Sequence, residues 1–74
     1  MKIIGEIQKN SAEKIIASLD TFKGRKIASL RVFYLDGTEY KPGPKGLTIR
    51  RELLPEILKL VTELDSESKK EEAG

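Results

Sequence analysis

Hydrophobic and polar residues alternate along much of the first fifty positions, and such alternation predicts β-strands. The clearest case is RKIASLRVFYL, residues 25–35, where Ala28, Leu30 and Val32 share one side. The other side carries Arg25, Ile27, Ser29, Arg31 and Phe33. Residues 14–22 alternate in a similar way. We expect the aliphatic sides to face a core and the arginine-bearing side to face solvent.

Shorter segments complete the predicted β region. Residues 2–9 form an edge strand or an ordered arm, and residues 39–41 and 47–49 form short strands. Lys23-Gly24 and the DGT sequence at residues 36–38 predict hairpin turns. These signals favour an antiparallel sheet of sequential hairpins.

The sequence YKPGPKG, residues 40–46, predicts a stiff corner between two short strands. Proline sets φ at the second position of a type II turn, and glycine supplies positive φ at the third. A type II turn at Pro42-Gly43 would place Lys41 and Lys45 on either side of the bend.

The period of the apolar positions changes after the sheet. Apolar residues then recur at three- and four-residue spacing, which predicts an amphipathic helix over residues 51–65. These residues are Leu54, Ile57, Leu58, Val61 and Leu64. Pro55 is tolerated only in a first turn, so the helix proper begins near Leu54 or opens irregularly. Leu53 and Leu60 widen the apolar surface, and we expect them to face a second subunit.

The final segment, DSESKKEEAG, is almost entirely polar. It cannot bury enough surface to offset its ordering entropy, so we expect a folded domain over residues 1–65 and a charged, disordered tail over 66–74. Strands first and one helix last indicate an α+β fold with an antiparallel sheet.

The amino-acid composition excludes several kinds of functional site. A chain of 74 residues has a thin core, and without cysteine or histidine it has no disulfide, thiolate metal site or histidine base. Self-association is the remaining means of stabilisation. We expect no enzyme activity, cofactor or metal. No apolar run is long enough to span a membrane and no signal peptide is evident, so we expect a soluble intracellular protein.

Charge is distributed unevenly. Residues 1–51 carry a net charge of +6 and residues 52–74 a net charge of −4. Such asymmetry suggests a polyanionic partner for the basic part, with a merely solvated surface as the alternative.

Basic residues are interleaved with aromatic ones, as in proteins that bind single strands through phosphate contacts and base stacking. The candidate nucleic-acid-binding residues are Phe22, Lys23, Arg25, Lys26, Arg31, Phe33, Tyr34, Lys41 and Lys45. In a small protein phenylalanines are more often core residues than stacking surfaces, and lysines that flank turns are usually only solvated.

Two motifs, FKGRK and EYKPGPKGLTI, are separated by a strand that carries Arg31 and precede a helix. This order resembles the positive-cofactor-four transcriptional coactivators and their prokaryotic relatives, over residues 4–64. The resemblance implies a curved antiparallel four-stranded β-sheet followed by one C-terminal α-helix (β-β-β-β-α). It also implies a homodimer, formed through the C-terminal helix, that holds single-stranded DNA or melted duplex with little sequence preference.

The resemblance also implies roles for individual residues. Phe22 looks like a stacking residue, and Lys23 and Arg25 look like phosphate contacts. Arg31 matches an arginine that faces the channel, and Tyr34 replaces a common tryptophan. Lys41 and Lys45 match two lysines of the corner.

The sequence departs from the family at two positions. Pro44 stands where a basic residue is frequent, and Lys26 where an apolar residue is usual. The long regulatory arm of eukaryotic members is missing, which favours a prokaryotic or viral source. We expect a cytoplasmic, nucleoid-associated protein if it is prokaryotic, and a nuclear one if it is eukaryotic.

Three functions stay open at this point. The first is single-stranded DNA binding in transcription, replication or repair. The second is a dimeric protein-interaction module that recruits transcription machinery with its acidic tail. The third is single-stranded RNA binding, which differs in recognition of the 2′-hydroxyl.

Overall fold

A computed structural model describes the backbone of residues 1–73 and the side chains of residues 1–72. Four strands form one antiparallel sheet in chain order: β1 (Lys2–Asn10), β2 (Glu13–Phe22), β3 (Arg25–Asp36) and β4 (Glu39–Arg50). A 3₁₀ turn, Arg51–Leu53, leads into the α-helix α1, Leu54–Ala73. The predicted four-stranded antiparallel sheet followed by one helix is confirmed.

Two-residue loops connect the long strands. At the β2–β3 hairpin Lys23 and Gly24 have φ of 51° and 77°, and Phe22 pairs with Arg25. Positive φ at both central positions is the requirement of a type I′ turn, whose twist suits the flanking strands. At the β3–β4 hairpin Gly37 has φ of 66° and Asp36 pairs with Glu39. Both predicted turns are confirmed.

The predicted corner in YKPGPKG is wrong. Strand β4 runs without interruption from Glu39 to Arg50, and a bulge replaces the bend. Phe33 pairs with Pro42 and Arg31 with Gly46, so Val32 alone lies opposite residues 43–45.

Glycines permit the close approach of β4 to β3 at this bulge. Gly43 does not have positive φ, so it does not form the expected type II turn. A Cβ on Gly43 would lie 2.9 Å from the Val32 carbonyl oxygen. Gly46 has φ of 149°, and a Cβ there would lie 2.7 Å from the Arg31 Cα. The motif therefore brings two backbones together rather than turning the chain.

The sheet has two different surfaces. The strand pairing places Ala17 opposite Leu30 and Ala28 opposite Ile49, which defines an apolar surface that we call the Leu30 face. Its other members are Ile15, Leu19, Val32 and Leu47. The opposite surface, the Arg31 face, carries Ile16, Ser18, Ile27, Ser29, Arg31 and Phe33. The predicted separation of aliphatic and arginine-bearing sides is confirmed.

The helix begins at Leu54, so Pro55 lies in its first turn, as predicted. Arg51 attaches the preceding 3₁₀ turn to the sheet. Its Nε donates to the Ile27 carbonyl and its Nη2 to the Asp20 carbonyl, each at 3.1 Å. These two carbonyls belong to paired residues of β2 and β3, so one side chain holds the helix start against the ends of both strands.

Helix α1 continues to Ala73, whereas the sequence predicted disorder from residue 66. The expectation considered only burial and omitted local helix energetics. Lys69 pairs with Asp65 at 3.1 Å, and Lys70 pairs with Glu67 at 3.3 Å. Pairs at these spacings stabilise a helix by a few tenths of a kcal/mol each, and the segment is rich in good helix formers. Gly74 lies outside the described residues, and the division into two domains stays a prediction.

Little of the chain is buried within one subunit. In the described part, only Ile16, Ser18 and Ala28 are buried. The first turns of α1, through Leu54 and Ile57, line an open apolar cavity of about 330 Å³ on the Leu30 face. Leu58 and Leu64 further along α1 are 67% and 69% exposed. No described helix has the length and apolar character needed to cross a membrane.

Candidate nucleic-acid interface

A shallow groove of about 460 Å³ lies on the Arg31 face. It brings together three of the predicted binding residues, Phe22, Arg31 and Phe33. The remaining lining residues are Met1, Ser18, Asp20, Ile27, Ser29, Pro42 and Thr48. The groove thus combines two aromatic rings, one guanidinium group, the Asp20 carboxylate and several hydroxyl groups along three adjacent strands.

Arg31 is held in place by neutral partners. Its Nη1 donates to the Gly43 carbonyl at 3.2 Å, and its Nη2 donates to the Thr48 hydroxyl at 3.0 Å. The Thr48 hydroxyl is also 3.2 Å from that of Ser29. Within residues 1–73 no carboxylate forms an ion pair with Arg31, so its charge is oriented but not neutralised. An oriented, uncompensated guanidinium group is suited to binding phosphate.

Phe22 lies at the end of β2 beside the type I′ turn, and its side chain is 62% exposed. A core role for this ring is therefore excluded within one subunit. The Lys23 ammonium group lies 5.4 Å from the centre of the ring. A flat ring with a neighbouring cation provides both a stacking surface and a phosphate contact. Phe33, further along the groove, is half-buried.

Arg25 and Lys26 lie beyond the groove at the same end of the sheet. Arg25 pairs with Phe22 across the hairpin, and both cations line a separate open cleft. Arg50 also lines that cleft, although the sequence analysis did not single it out.

The structure does not bring Tyr34, Lys41 and Lys45 into the groove. Tyr34 and Lys45 line a small depression with Glu13 and Val32 on the Leu30 face. Lys41 pairs with Tyr34 in the ladder and forms an ion pair with Asp36 at 2.8 Å. The alternation of β3 puts Tyr34 on the same side as Leu30 and Val32, and Lys41 lies opposite Tyr34. The bulge places Lys45 beside Val32. A role for these three residues in DNA binding stays a prediction.

Glu13 is the acidic residue of the depression that Tyr34 and Lys45 line. A hydrogen bond from the Asn10 amide at 2.8 Å lowers the pKa of the Glu13 carboxyl below its usual value. Desolvation opposes that shift, and the charges of Lys9 and Lys45 add to it. Lys45 lines the same depression as the Glu13 carboxyl group, although the two form no ion pair in the described part of the chain.

Other lysines are engaged as well. Lys14 is paired with Glu6 at 3.1 Å and lies 4.3 Å from the centre of the Tyr40 ring. Lys9 is paired with Glu13 at 3.5 Å. Across the part of the chain that the structure describes, no group of three acidic side chains is positioned to hold a metal ion.

Thr48 and Arg50 were not among the binding residues predicted from the sequence. Leu47 and Ile49 alternate with these two residues, so a period of two along β4 assigns Thr48 and Arg50 to the side opposite the aliphatic residues. The proximity of Thr48 to Arg31 was not predictable, because the bulge shifts the β3–β4 register.

Comparison with solved structures reveals a close match in fold. Two crystal forms of a PC4 homolog from Burkholderia pseudomallei K96243 are similar to this chain, with 26% sequence identity in each case. The orthorhombic form gives a TM-score of 0.82 and covers 86% of this chain and 88% of that one. The tetragonal form gives a TM-score of 0.81 and covers 86% of this chain and 96% of that one.

Among curated proteins none matches this chain significantly. The profile of the family described as Transcriptional Coactivator p15 (PC4) matches residues 9–60, which is more than two thirds of the chain. The matched segment contains the groove residues Phe22, Arg31, Phe33 and Thr48. The chain therefore belongs to the PC4 family, as a prokaryotic-type member, in agreement with the resemblance found in its sequence motifs.

Proposed function

We propose that this protein binds single-stranded DNA, with little sequence preference, in the groove of the Arg31 face. The observation that carries the proposal is the joint placement of exposed Phe22, half-buried Phe33 and the oriented Arg31 in one groove. Membership of a nucleic-acid-binding family supports it.

Single strands suit this groove better than duplex. Phe22 offers a ring face to an unpaired base, whereas bases in a duplex are already stacked on one another. Every base has a face that can stack, so such contacts carry little sequence preference. Apart from Arg31 and Asp20, the polar side chains of the groove are short hydroxyl groups. Among the described residues that line it there is no Asn or Gln, whose side-chain amides read the edges of adenine.

We further propose that the binding unit is a homodimer formed through the helix. One chain leaves the Leu30 face largely uncovered, with Leu30 46% exposed, and leaves the apolar side of α1 in solvent. Leu60, expected to face a second subunit, is 58% exposed, while Leu53 is half-buried. Burial stabilises by about 25 cal/mol per Å² of apolar surface, so association of these surfaces is strongly favoured.

The process that uses this binding is proposed to be transcription regulation, with DNA replication or repair as the alternative. The description of the family as a transcriptional coactivator supports the first. Within a bacterial cell, such a protein would be expected at the nucleoid.

Fluorescence anisotropy with labelled single-stranded and duplex DNA of about 20 nucleotides tests the proposal. We expect tighter binding to the single strand, weakening with salt at a log–log slope of about −0.7 for each phosphate contacted. Arg31→Gln should weaken binding and reduce the slope. Equal or tighter binding to duplex, or binding insensitive to salt, would contradict the proposal.

A second candidate function rests on the acidic second half of α1. Residues 63–72 are exposed and carry five carboxylates against two lysines, a surface suited to recruiting a basic protein partner. This function is favoured if neither DNA nor RNA binds and deletion of residues 65–74 abolishes association with a transcription component. Competition between matched DNA and RNA oligomers decides between the two nucleic acids.

A further inference from the structure

A cleft of about 560 Å³ lies at the end of the sheet where β2, β3 and β4 meet the helix. It is lined by Gly24, Arg25, Lys26, Arg50 and Glu52, which are three cations and one acid around a flexible turn position. The cleft is separate from the groove that holds Arg31 and Phe33.

The cations of this cleft are not neutralised. Within residues 1–73, neither Arg25, Lys26 nor Arg50 forms an ion pair or a side-chain hydrogen bond. Arg50 precedes the 3₁₀ turn in an extended conformation, with φ of −65° and ψ of 141°, and its side chain makes no capping bond. In contrast, Lys14 and Lys41 each contact a carboxylate. The cleft thus holds charge that is available to a ligand.

The strand register joins the cleft to the groove. Arg25 lies opposite Phe22, and Arg50 lies opposite Ile27. Arg25 and Ile27 share the Arg31 face, so Arg25 and Arg50 are diagonal neighbours on it, at a spacing of about 7–8 Å between such positions. Phe22 and Ile27 belong to the groove lining, so both arginines extend directly from it.

We propose that Arg50 joins Arg25, whose phosphate contact the sequence motif already implies, in a second phosphate-binding site, which takes the sugar-phosphate backbone of a single strand as it leaves the groove past Phe22. Lys26 lines the cleft from the other side of β3. The inference rests on the proposed function and adds a contact residue, Arg50, and a direction of exit. Consecutive backbone phosphates meet the guanidinium groups of Arg25 and Arg50, while Glu52 repels them and limits the affinity.

Charge substitutions in the full-length protein test this site by anisotropy on labelled oligothymidine. Arg50→Gln should weaken binding about two- to fivefold, the range expected for one exposed charge pair, and reduce the magnitude of the salt slope by about 0.7 per phosphate released. Arg50→Lys keeps the charge and should retain the slope. Glu52→Gln removes the repulsion and should strengthen binding.

The matched control is Lys59→Gln, which removes one exposed charge from the helix, away from the cleft. It separates a local contact from the effect of net charge, and thermal denaturation by circular dichroism verifies that each variant is folded. If wild type binds and Arg50→Gln behaves as Lys59→Gln does, this inference is overturned and the proposed function stands. If wild type does not bind oligothymidine, the proposed function fails, and this site fails with it.

Discussion

Arg50 and Arg51 are adjacent residues of the same type with opposite environments. Arg50 extends into an open cleft without a partner among the described residues, whereas Arg51 is half-buried and donates to the carbonyls of Ile27 and Asp20. The difference follows from the change of backbone conformation between them, because Arg50 is the last residue of the extended strand β4 and Arg51 the first of the 3₁₀ turn. One arginine is available to a ligand, and its neighbour supports the fold.

Replacement of Arg51 should therefore affect stability. Arg51 donates one part-buried and one exposed hydrogen bond, and the exposed one is readily replaced by water. A hydrogen bond from a charged group contributes about 1.5–3 kcal/mol, so we expect Arg51→Gln to lower the free energy of unfolding by about that amount, chiefly through the part-buried bond. Arg50→Gln is the matched control and should leave stability unchanged. Urea denaturation at equal protein concentration measures both, and equal midpoints for the two variants would contradict the assigned roles.

Phe22 should contribute to DNA affinity rather than to stability, since its ring is largely exposed. Stacking of a base is worth about 1–3 kcal/mol, so Phe22→Leu should weaken single-strand binding by that amount. Phe22→Tyr keeps the aromatic ring and should retain the wild-type affinity for single strands. Anisotropy and thermal denaturation together distinguish the roles: a loss of stability without a loss of affinity would show that the ring packs against protein.

At the scale of the element, β4 determines the shape of the groove. Its bulge at residues 43–45 allows the Gly43 carbonyl to accept a hydrogen bond from the Arg31 side chain, and it brings Thr48 opposite Ser29. A bend at the same place would have ended the ladder at Pro42. The two prolines and two glycines of this segment are compatible with either geometry, since proline is found at bulges as well as in turns.

Substitution of Gly46 tests the bulge. A Cβ there would meet backbone atoms at 2.7 Å, and φ of 149° is unfavourable for other residues. Backbone strain of this type costs about 1–3 kcal/mol, so we expect Gly46→Ala to be destabilising by at least that range. Gly5→Ala in β1 is the control, because a Cβ at Gly5 has no atom within 4 Å. Urea midpoints that fall equally for both variants would exclude a specific steric role.

The main feature of the whole molecule is the large amount of apolar surface that a single chain leaves exposed. A sheet with one apolar face and a helix that projects from it leave most hydrophobic side chains exposed in a single chain. Soluble monomers rarely expose large continuous apolar patches. A partner subunit over the Leu30 face and α1 would supply the missing core.

Light scattering tests the dimer directly. The wild type should have twice the 8.3 kDa mass of one chain. Leu58→Glu places a charge in the exposed apolar side of α1 and should produce monomers or a loss of folding, because a buried unpaired charge is costly. Lys59→Gln, one residue further along the helix, should remain dimeric. A wild-type mass of 8.3 kDa at working concentration would refute the proposal.

Local patterns were sufficient for much of this architecture. Alternation placed Leu30 and Arg31 on opposite sides of β3, Lys23-Gly24 specified its turn, and three- to four-residue spacing located α1. Each of these depends on the period of the backbone and on the φ that one or two residues can adopt. Such constraints act over a few residues, so they can be inferred without knowing the rest of the fold.

Pairing between strands that are distant in sequence decided how the residues of the site are grouped. The register of β4 against β3 determines that Thr48 supports Arg31, that Lys45 lies beside Val32 on the other face, and that Arg50 joins Arg25. A register depends on how two segments distant in sequence fit together, and the two extra residues of this bulge determine which residues of β4 lie opposite Arg31 and Ser29. The types of residue in the site were therefore evident from the chain, while their grouping into a groove and a cleft arose only when the strands were paired.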